Sequence, residues 1–129
     1  MFFMQKKDLL VKSIENCPVR DVVARFGNKW GLLVLLVIHE QEVIRFGELS
    51  RAIPDISTRV LSATLRTLEA DDLIYRKVYP VIPPKVEYSL TELGKELVPM
   101  IITLTDWASL NLPSIKRHRE QYEKQHGDE

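Results

Sequence analysis

The sequence predicts a mainly α domain with one small β-hairpin, and three observations carry that expectation. Residues 56–71 hold apolar side chains at helical spacing, a short helical pattern ends just before them, and two alternating, β-favouring stretches follow at 74–79 and 86–90. A chain of 129 residues suits one domain whose core needs neither metal nor disulfide staples.

Composition excludes several function classes. The 18 Lys and Arg residues balance 18 Asp and Glu, so there is no global pull toward nucleic acid or membrane, and any polyanion binding must come from local charge. A single cysteine, Cys17, rules out an intramolecular disulfide framework and fits a reducing compartment. The longest apolar run, residues 32–38, is too short to span a bilayer, and Lys6, Lys7 and Asp8 interrupt Phe2, Phe3 and Met4 before a signal-peptide core can form. The expectation is a cytoplasmic protein. His39, His118 and His126 lack metal-ligand spacing with Cys17, and neither a phosphate-cradling Gly loop nor a nucleophile and base constellation is present. No enzyme activity, cofactor or metal is expected.

In chain order, Phe2, Phe3, Leu9, Leu10 and Ile14 give residues 1–16 an apolar side suited to an N-terminal helix or arm. Cys17-Pro18 opens a short helix with Val19, Val22, Val23 and Phe26, stopped by Gly27-Asn28. The run that follows suits either a buried strand or a buried helix, and the lack of a turn signal over residues 29–39 favours helix. Phe46, Leu49 and Ile53 place another short helix within residues 44–53, ended by Pro54-Asp55.

The next helix follows so closely that the two must cross sharply, as in a helix-turn-helix. Ser57 is its N-cap, and Ile56 with Leu61 can form a hydrophobic staple. Leu61, Leu65 and Leu68 form its buried stripe, so the opposite face carries Arg59, Ala63, Arg66 and Ala70, flanked by Ser62 and Thr67. Small residues permit close approach to a groove, arginines bond bidentately to guanine, and hydroxyls suit phosphates, so this face is the candidate DNA-binding surface. The hairpin beyond it concentrates Arg76, Lys77 and Lys85 near a loop containing Pro80, Pro83 and Pro84.

Thr91 caps the last helix, in which Leu93, Leu97, Ile101, Leu104 and Ala108 define a stripe widened by Val98, Met100, Ile102 and Trp107. One small domain does not easily cover so wide a stripe, which points to a second subunit. Pro99 should kink this helix or mark a handover to another, Pro113 should stop it, and the mixed charges beyond suit a solvated tail.

Together these elements resemble the HxlR-type transcriptional regulators, winged-helix proteins related to the MarR group. The resemblance spans residues 17–107. It is carried by Cys17-Pro18-Val19, Gly27-Asn28-Lys29-Trp30 and the apolar run, Arg45-Phe46, Glu48-Leu49, Ile53-Pro54 and Ile56-Ser57. Further matches are Leu61, Leu65-Arg66, Leu68-Glu69, Leu73-Ile74, Arg76, Pro83-Pro84, Val86-Glu87-Tyr88, Leu90-Thr91, Gly94, Leu97 and Trp107. Asp72, at the turn into the wing, and Asn28 stand where the family often has glycine.

The resemblance implies a winged helix-turn-helix and assigns the 32–38 run to a helix. It implies a homodimer that regulates transcription by placing residues 57–71 in the major groove and the wing on the flanking backbone of a pseudo-palindromic operator, with half-sites about 10 bp or a multiple apart. Residues 1–16 would then form an arm or helix contributing to the dimer, 17–90 the DNA-binding domain, 91–112 a dimerisation helix and 113–129 a polar tail. Arg59 and Arg66 are assigned to base edges or nearby phosphates, Ser57, Thr58 and Ser62 to backbone positioning, Arg76, Tyr79 and Lys85 to wing contacts, and Lys29 to a phosphate. Leu10, Ile14, Leu97, Ile101, Leu104, Trp107 and Ala108 are the expected dimer contacts. A cysteine at the place of Cys17 senses oxidants, quinones or aldehydes in several members of that family, which makes it the candidate redox or effector residue. The rival expectation is a winged-helix module that binds protein without DNA.

Overall fold

The computed structural model describes residues 17–127. The N-terminal arm, with Leu10 and Ile14, lies outside the described residues. Helix α1 begins as a π-helix over Val19–Val23 and continues as Ala24–Phe26; α2 (Lys29–Gln41), β1 (Ile44–Arg45), α3 (Phe46–Ala52), α4 (Thr58–Ala70), β2 (Ile74–Tyr79), β3 (Lys85–Leu90) and α5 (Glu92–His126) follow.

Helix α2 lies at the centre. Its N-cap is Asn28, whose side chain accepts from the Gly31 N–H at 3.0 Å, a bond glycine at position 28 could not make. Gly31 is needed for close packing, because a Cβ there would sit 2.3 Å from the Phe26 carbonyl oxygen. Val34, Leu35 and Ile38 are completely buried, which accounts for a run whose periodicity alone was ambiguous. The helix ends at Glu42, whose N–H reaches back to the Ile38 carbonyl at 2.8 Å and which, at φ 66° and ψ −53°, centres a γ-turn closed by the Val43 N–H on the Gln41 carbonyl at 2.7 Å.

One boundary differs from expectation. Ile44 and Arg45 form a short strand that pairs antiparallel with β3 at Ile44↔Tyr88 and Arg45↔Glu87, so the sheet has three strands in the order β1-β3-β2. Two residues are too few to show alternation, and the side chain that buries Ile44 serves a strand as well as a helix. Helix α3 then starts at Phe46, with Glu48 accepting from the Arg45 N–H at 3.0 Å.

Between α3 and α4 the chain turns on Ile53 and Ile56, both buried, and Ser57 caps α4 by accepting from the Val60 N–H at 3.1 Å. Leu61, Leu65 and Leu68 enter the core as expected. The end of α4 is a Schellman turn: the Asp72 N–H bonds to the Glu69 carbonyl and the Leu73 N–H to the Leu68 carbonyl, each at 3.0 Å. Asp72 occupies the left-handed position of that turn at φ 60°, so the turn is kept although glycine is absent.

The hairpin is formed as expected, with the register Ile74↔Leu90, Arg76↔Tyr88 and Val78↔Val86, and β3 begins one residue earlier than expected, at Lys85. Thr91 then ties three elements together. Its hydroxyl donates to the Asp72 carbonyl at 2.6 Å and accepts from the Gly94 N–H at 3.0 Å, while its own N–H donates to the Leu73 carbonyl. A Cβ at Gly94 would lie 2.2 Å from that Leu73 oxygen, so glycine lets α5 start against the base of the wing.

Helix α5 also differs from expectation. It is one helix of 35 residues that runs through both Pro99 and Pro113, so Pro113 does not stop it and residues 113–126 are helical. Each proline deprives one carbonyl of its N–H partner, those of Lys95 and Ser109, and all four residues are exposed. Only Gly94, Val98 and Ile101 of this helix are buried, and no single helix among the described residues is long and apolar enough to cross a membrane.

The Schellman turn makes a direct prediction. Asp72→Gly removes both the left-handed penalty and a negative charge from the C-terminal end of α4, and should stabilise the protein by about 0.5–1 kcal/mol. Urea unfolding should show a higher midpoint at unchanged slope; a lower midpoint would contradict the assigned turn.

Candidate DNA-binding surface

The leucine stripe fixes which side of α4 faces outward. Thr58, Arg59, Ala63, Arg66 and Ala70 are exposed, while Ser62 and Thr67 are half-buried at the margins of that face. Ser57, at the cap, is exposed but its side-chain oxygen is engaged with the Val60 N–H. The first turn of α4 contains no acidic residue, so its positive dipole end is uncompensated and favours a phosphate. Among the described residues neither Arg59 nor Arg66 forms an ion pair.

The wing meets this helix across a concavity of about 400 Å³ lined by Phe46, Ser62, Leu65, Arg66, Glu69, Arg76 and Tyr88. Three expected site residues, Ser62, Arg66 and Arg76, therefore share one surface although they come from two elements. Glu69 is its acidic member and was matched in the sequence only as part of the family resemblance, not as a site residue, because a lone carboxylate late in an amphipathic helix carries no functional signal.

The remaining wing residues are placed differently. Arg76 lies on the sheet face shared with Ile74 and Tyr88, and by strand alternation Lys77, Tyr79, Lys85 and Glu87 lie on the opposite one. There the Lys77 and Lys85 ammonium groups sit 4.9 and 4.8 Å from the centre of the Tyr79 ring, and Lys85 pairs with Glu87 at 3.5 Å. The Tyr79 hydroxyl, by hydrogen bonding to Glu87, holds that carboxyl below the usual carboxylate range; partial burial opposes this, and the charges of Lys85 and Arg45 assist. Tyr79 and Lys85 thus brace the wing on the side away from Arg66. Lys29 is exposed at the start of α2, its ammonium 4.1 Å from the centre of the Trp30 ring, and does not line the concavity.

Cys17 is half-buried just before α1, and its carbonyl accepts from the Asp21 N–H at 2.8 Å. A link from this segment to α4 was invisible in the sequence. Arg25 Nε donates to Asp71 Oδ2 at 2.6 Å, across 46 positions, joining α1 to the C-cap of α4. This hydrogen bond, with the attraction of the carboxylate, raises the Arg25 pKa. Both groups are partly exposed, so the pair is worth little as stability and more as a geometric tie.

The expected dimer contacts divide as well. Ile101 is only 3% exposed and belongs to the subunit's own core, so it has little surface left for a partner; Leu97 is half-buried. Leu104 and Trp107 are 56% and 59% exposed, Ala108 is exposed, and Val19, Val22, Leu93 and Met100 add apolar surface. Among the described residues no group of three or more His, Cys, Asp or Glu side chains is placed to hold a metal.

Comparison with known proteins agrees with this geometry. The model of the HxlR-like helix-turn-helix family matches residues 25–116. The HTH-type transcriptional regulator YtfH of Escherichia coli strain K12 is 40% identical over 107 residues, covering 83% of this chain and 84% of that protein. Among solved structures, the transcriptional regulator ytfH from Salmonella typhimurium is 40% identical, superposes with a TM-score of 0.75 and covers 82% of this chain and 94% of its own. The redox regulator HypR in its oxidized form is also 40% identical, with a TM-score of 0.67 over 74% of this chain and 97% of that one. A wing folded against an arginine-bearing second helix, and a family match over most of its length, make this chain a member of the HxlR-like helix-turn-helix transcriptional regulators.

Proposed function

We propose that this regulator works in the cytoplasm as a homodimer on a pseudo-palindromic operator, with α4 of each subunit in a major groove and the wing on the adjoining backbone. One observation carries this reading: Arg59 and Arg66 stand on the outward face of α4, and Arg66 shares a concave surface with Ser62 and Arg76. Arg59 and Arg66 take base edges or nearby phosphates. Ser57, Thr58 and Ser62 set the position of the helix on the backbone. Arg76 takes a phosphate from the wing, while Tyr79 and Lys85 hold the wing's shape and Lys29 reaches a more distant phosphate.

Residues 17–90 form the DNA-binding unit in this reading, and α5, with residues 1–16 including Leu10 and Ile14, supplies the dimer. The apolar surface left along α5 at Leu104, Trp107 and Ala108 supports it, because a monomer would leave that patch in water. Redox or electrophile control at Cys17 completes the proposal. An electrophile alkylates the thiolate, or a peroxide oxidises it to sulfenic acid with release of water. The Arg25–Asp71 tie then carries a shift of α1 to the end of α4. The likeness to a redox regulator in its oxidized form supports this control.

Two measurements test these assignments. Arg66→Ala should weaken operator binding by about 1–3 kcal/mol in a fluorescence anisotropy titration, with unchanged affinity removing Arg66 from the reading surface. Cys17→Ser should bind the operator as the parent does in reductant but ignore peroxide and quinone; a variant that still responds would remove the cysteine from the account.

A further inference from the structure

We propose that the concavity between the end of α2, the outer face of the sheet and the start of α5 is an effector site for a small zwitterion with an apolar body, a free amino acid or a short peptide. Ligand binding there stands apart from the DNA-binding reading, and only its effect on operator affinity rests on that reading.

The concavity holds about 530 Å³, a volume suited to a small ligand. Strand register explains the hollow. Tyr75 pairs with Ser89, and β1 pairs with the other side of β3, so the small Ser89 lies between Tyr75 and Val43, the residue that precedes β1. By strand alternation Tyr75 and Ser89 stand on the sheet face opposite Arg76. Val43 and Tyr75 remain 51% and 58% exposed, while Ile38 and Leu90, which also line the space, are buried. An apolar body therefore finds aliphatic and aromatic surface there that folding leaves partly in water.

The polar groups of the site are unused by the fold. His39, Glu42 and Lys95 also line it, and among the described residues the Glu42 carboxylate, the His39 ring and the Tyr75 and Ser89 hydroxyls have no hydrogen-bond or ion-pair partner. Lys95 meets only Glu92, at 3.4 Å, and both side chains are so exposed that water competes for the pair. Glu42 centres the γ-turn that ends α2, a strained conformation for a residue with a side chain, and such strain gathers where it serves a function.

The two charges select the ligand. A simple anion would satisfy Lys95 and be repelled by Glu42, and a simple cation would meet the reverse. A zwitterion answers both, its carboxylate accepting from Lys95 and its ammonium donating to Glu42, with its apolar body against Val43 and Tyr75. Bound in this way it ties the end of α2 to the start of α5 across the sheet that carries Arg76 on its other face. That gives it a route to the wing.

The test titrates the whole chain by calorimetry with L-leucine, L-phenylalanine and leucyl-leucine, and with isocaproate and isopentylamine, which are leucine without its ammonium and without its carboxylate. Leucine should bind with a dissociation constant of about 0.1–1 mM, as befits roughly ten non-hydrogen atoms, and both analogues at least about tenfold more weakly. Glu42→Gln should erase the preference for leucine over isocaproate, and Lys95→Met the preference over isopentylamine. Ser89→Ile, which fills the hollow without touching a charge, should abolish binding, with circular dichroism confirming that each variant is folded. The tighter of leucine and leucyl-leucine identifies the source as free amino acid or peptide. At saturating ligand, operator affinity in an anisotropy titration should change at least about fivefold, and duplex should change ligand affinity by the same factor. No binding of any of the three zwitterions, an analogue that binds as well as leucine, or leucine binding that survives all three substitutions would overturn the site. Unchanged operator affinity in a chain that binds both ligand and duplex would overturn its role as an effector site. A chain that binds leucine but no duplex would overturn the DNA-binding reading and leave the ligand site standing.

Discussion

The packing of three leucines of α4 into the core that surrounds α2 is the constraint on which the rest depends. Leu61, Leu65 and Leu68 share that core with Val34, Leu35 and Ile38 of the central helix. Burying each leucine is worth roughly 1.5–3 kcal/mol, so rotating α4 by even one position would forfeit much of the domain's stability. The leucines thereby fix what α4 presents outward. Ser57 fixes where the helix starts, and the Schellman turn at Asp72 fixes where it ends. Between those limits the arginines are displayed on a rod whose backbone is already ordered.

Beyond the core they share, the root of the wing is tied to the end of that rod by hydrogen bonds at Thr91. Thr91 bonds to Asp72 and Leu73 on one side and caps α5 on the other, so the end of α4, the root of the hairpin and the start of the long helix move together. Arg25 adds a fourth element to the same junction through Asp71. Any rotation of α5 against a partner subunit would thus be felt at the C-terminal end of α4. This gives a physical route by which events at α1 or along α5 reach the reading surface without touching it.

Legibility of the sequence followed the range of the interactions. The cap at Ser57, the leucine stripe, the hairpin at 74–79 and the cap at Thr91 rest on neighbours within a few residues, and all were readable. Ile44 and Arg45 were not, because a two-residue strand is defined by its partner in β3 and not by its own pattern. Pro113 was misjudged because the lost bond and ring clash of one proline, about 3 kcal/mol, disfavour a helix without forbidding it, and here they fall within a helix of 35 residues. The departures at the two glycine positions were visible in the sequence, but that a left-handed Asp72 keeps the turn and that Asn28 caps α2 needed the backbone. The site was half legible. The face of α4 came from its wheel, whereas the meeting of Arg66 with Arg76 and the separation of Tyr79 and Lys85 from them required the fold.

The central claim is that a locally basic surface on a neutral chain binds duplex DNA through its arginines and lysines, and counterion release tests it most directly. Affinity of the full chain for its selected duplex should be measured across a series of salt concentrations. The account predicts a linear fall of log K with log salt, with a slope of about −0.9 for each phosphate neutralised and hence several in total for a pair of subunits. A chain that shows no affinity for duplex at low salt, or an affinity indifferent to salt, would contradict it.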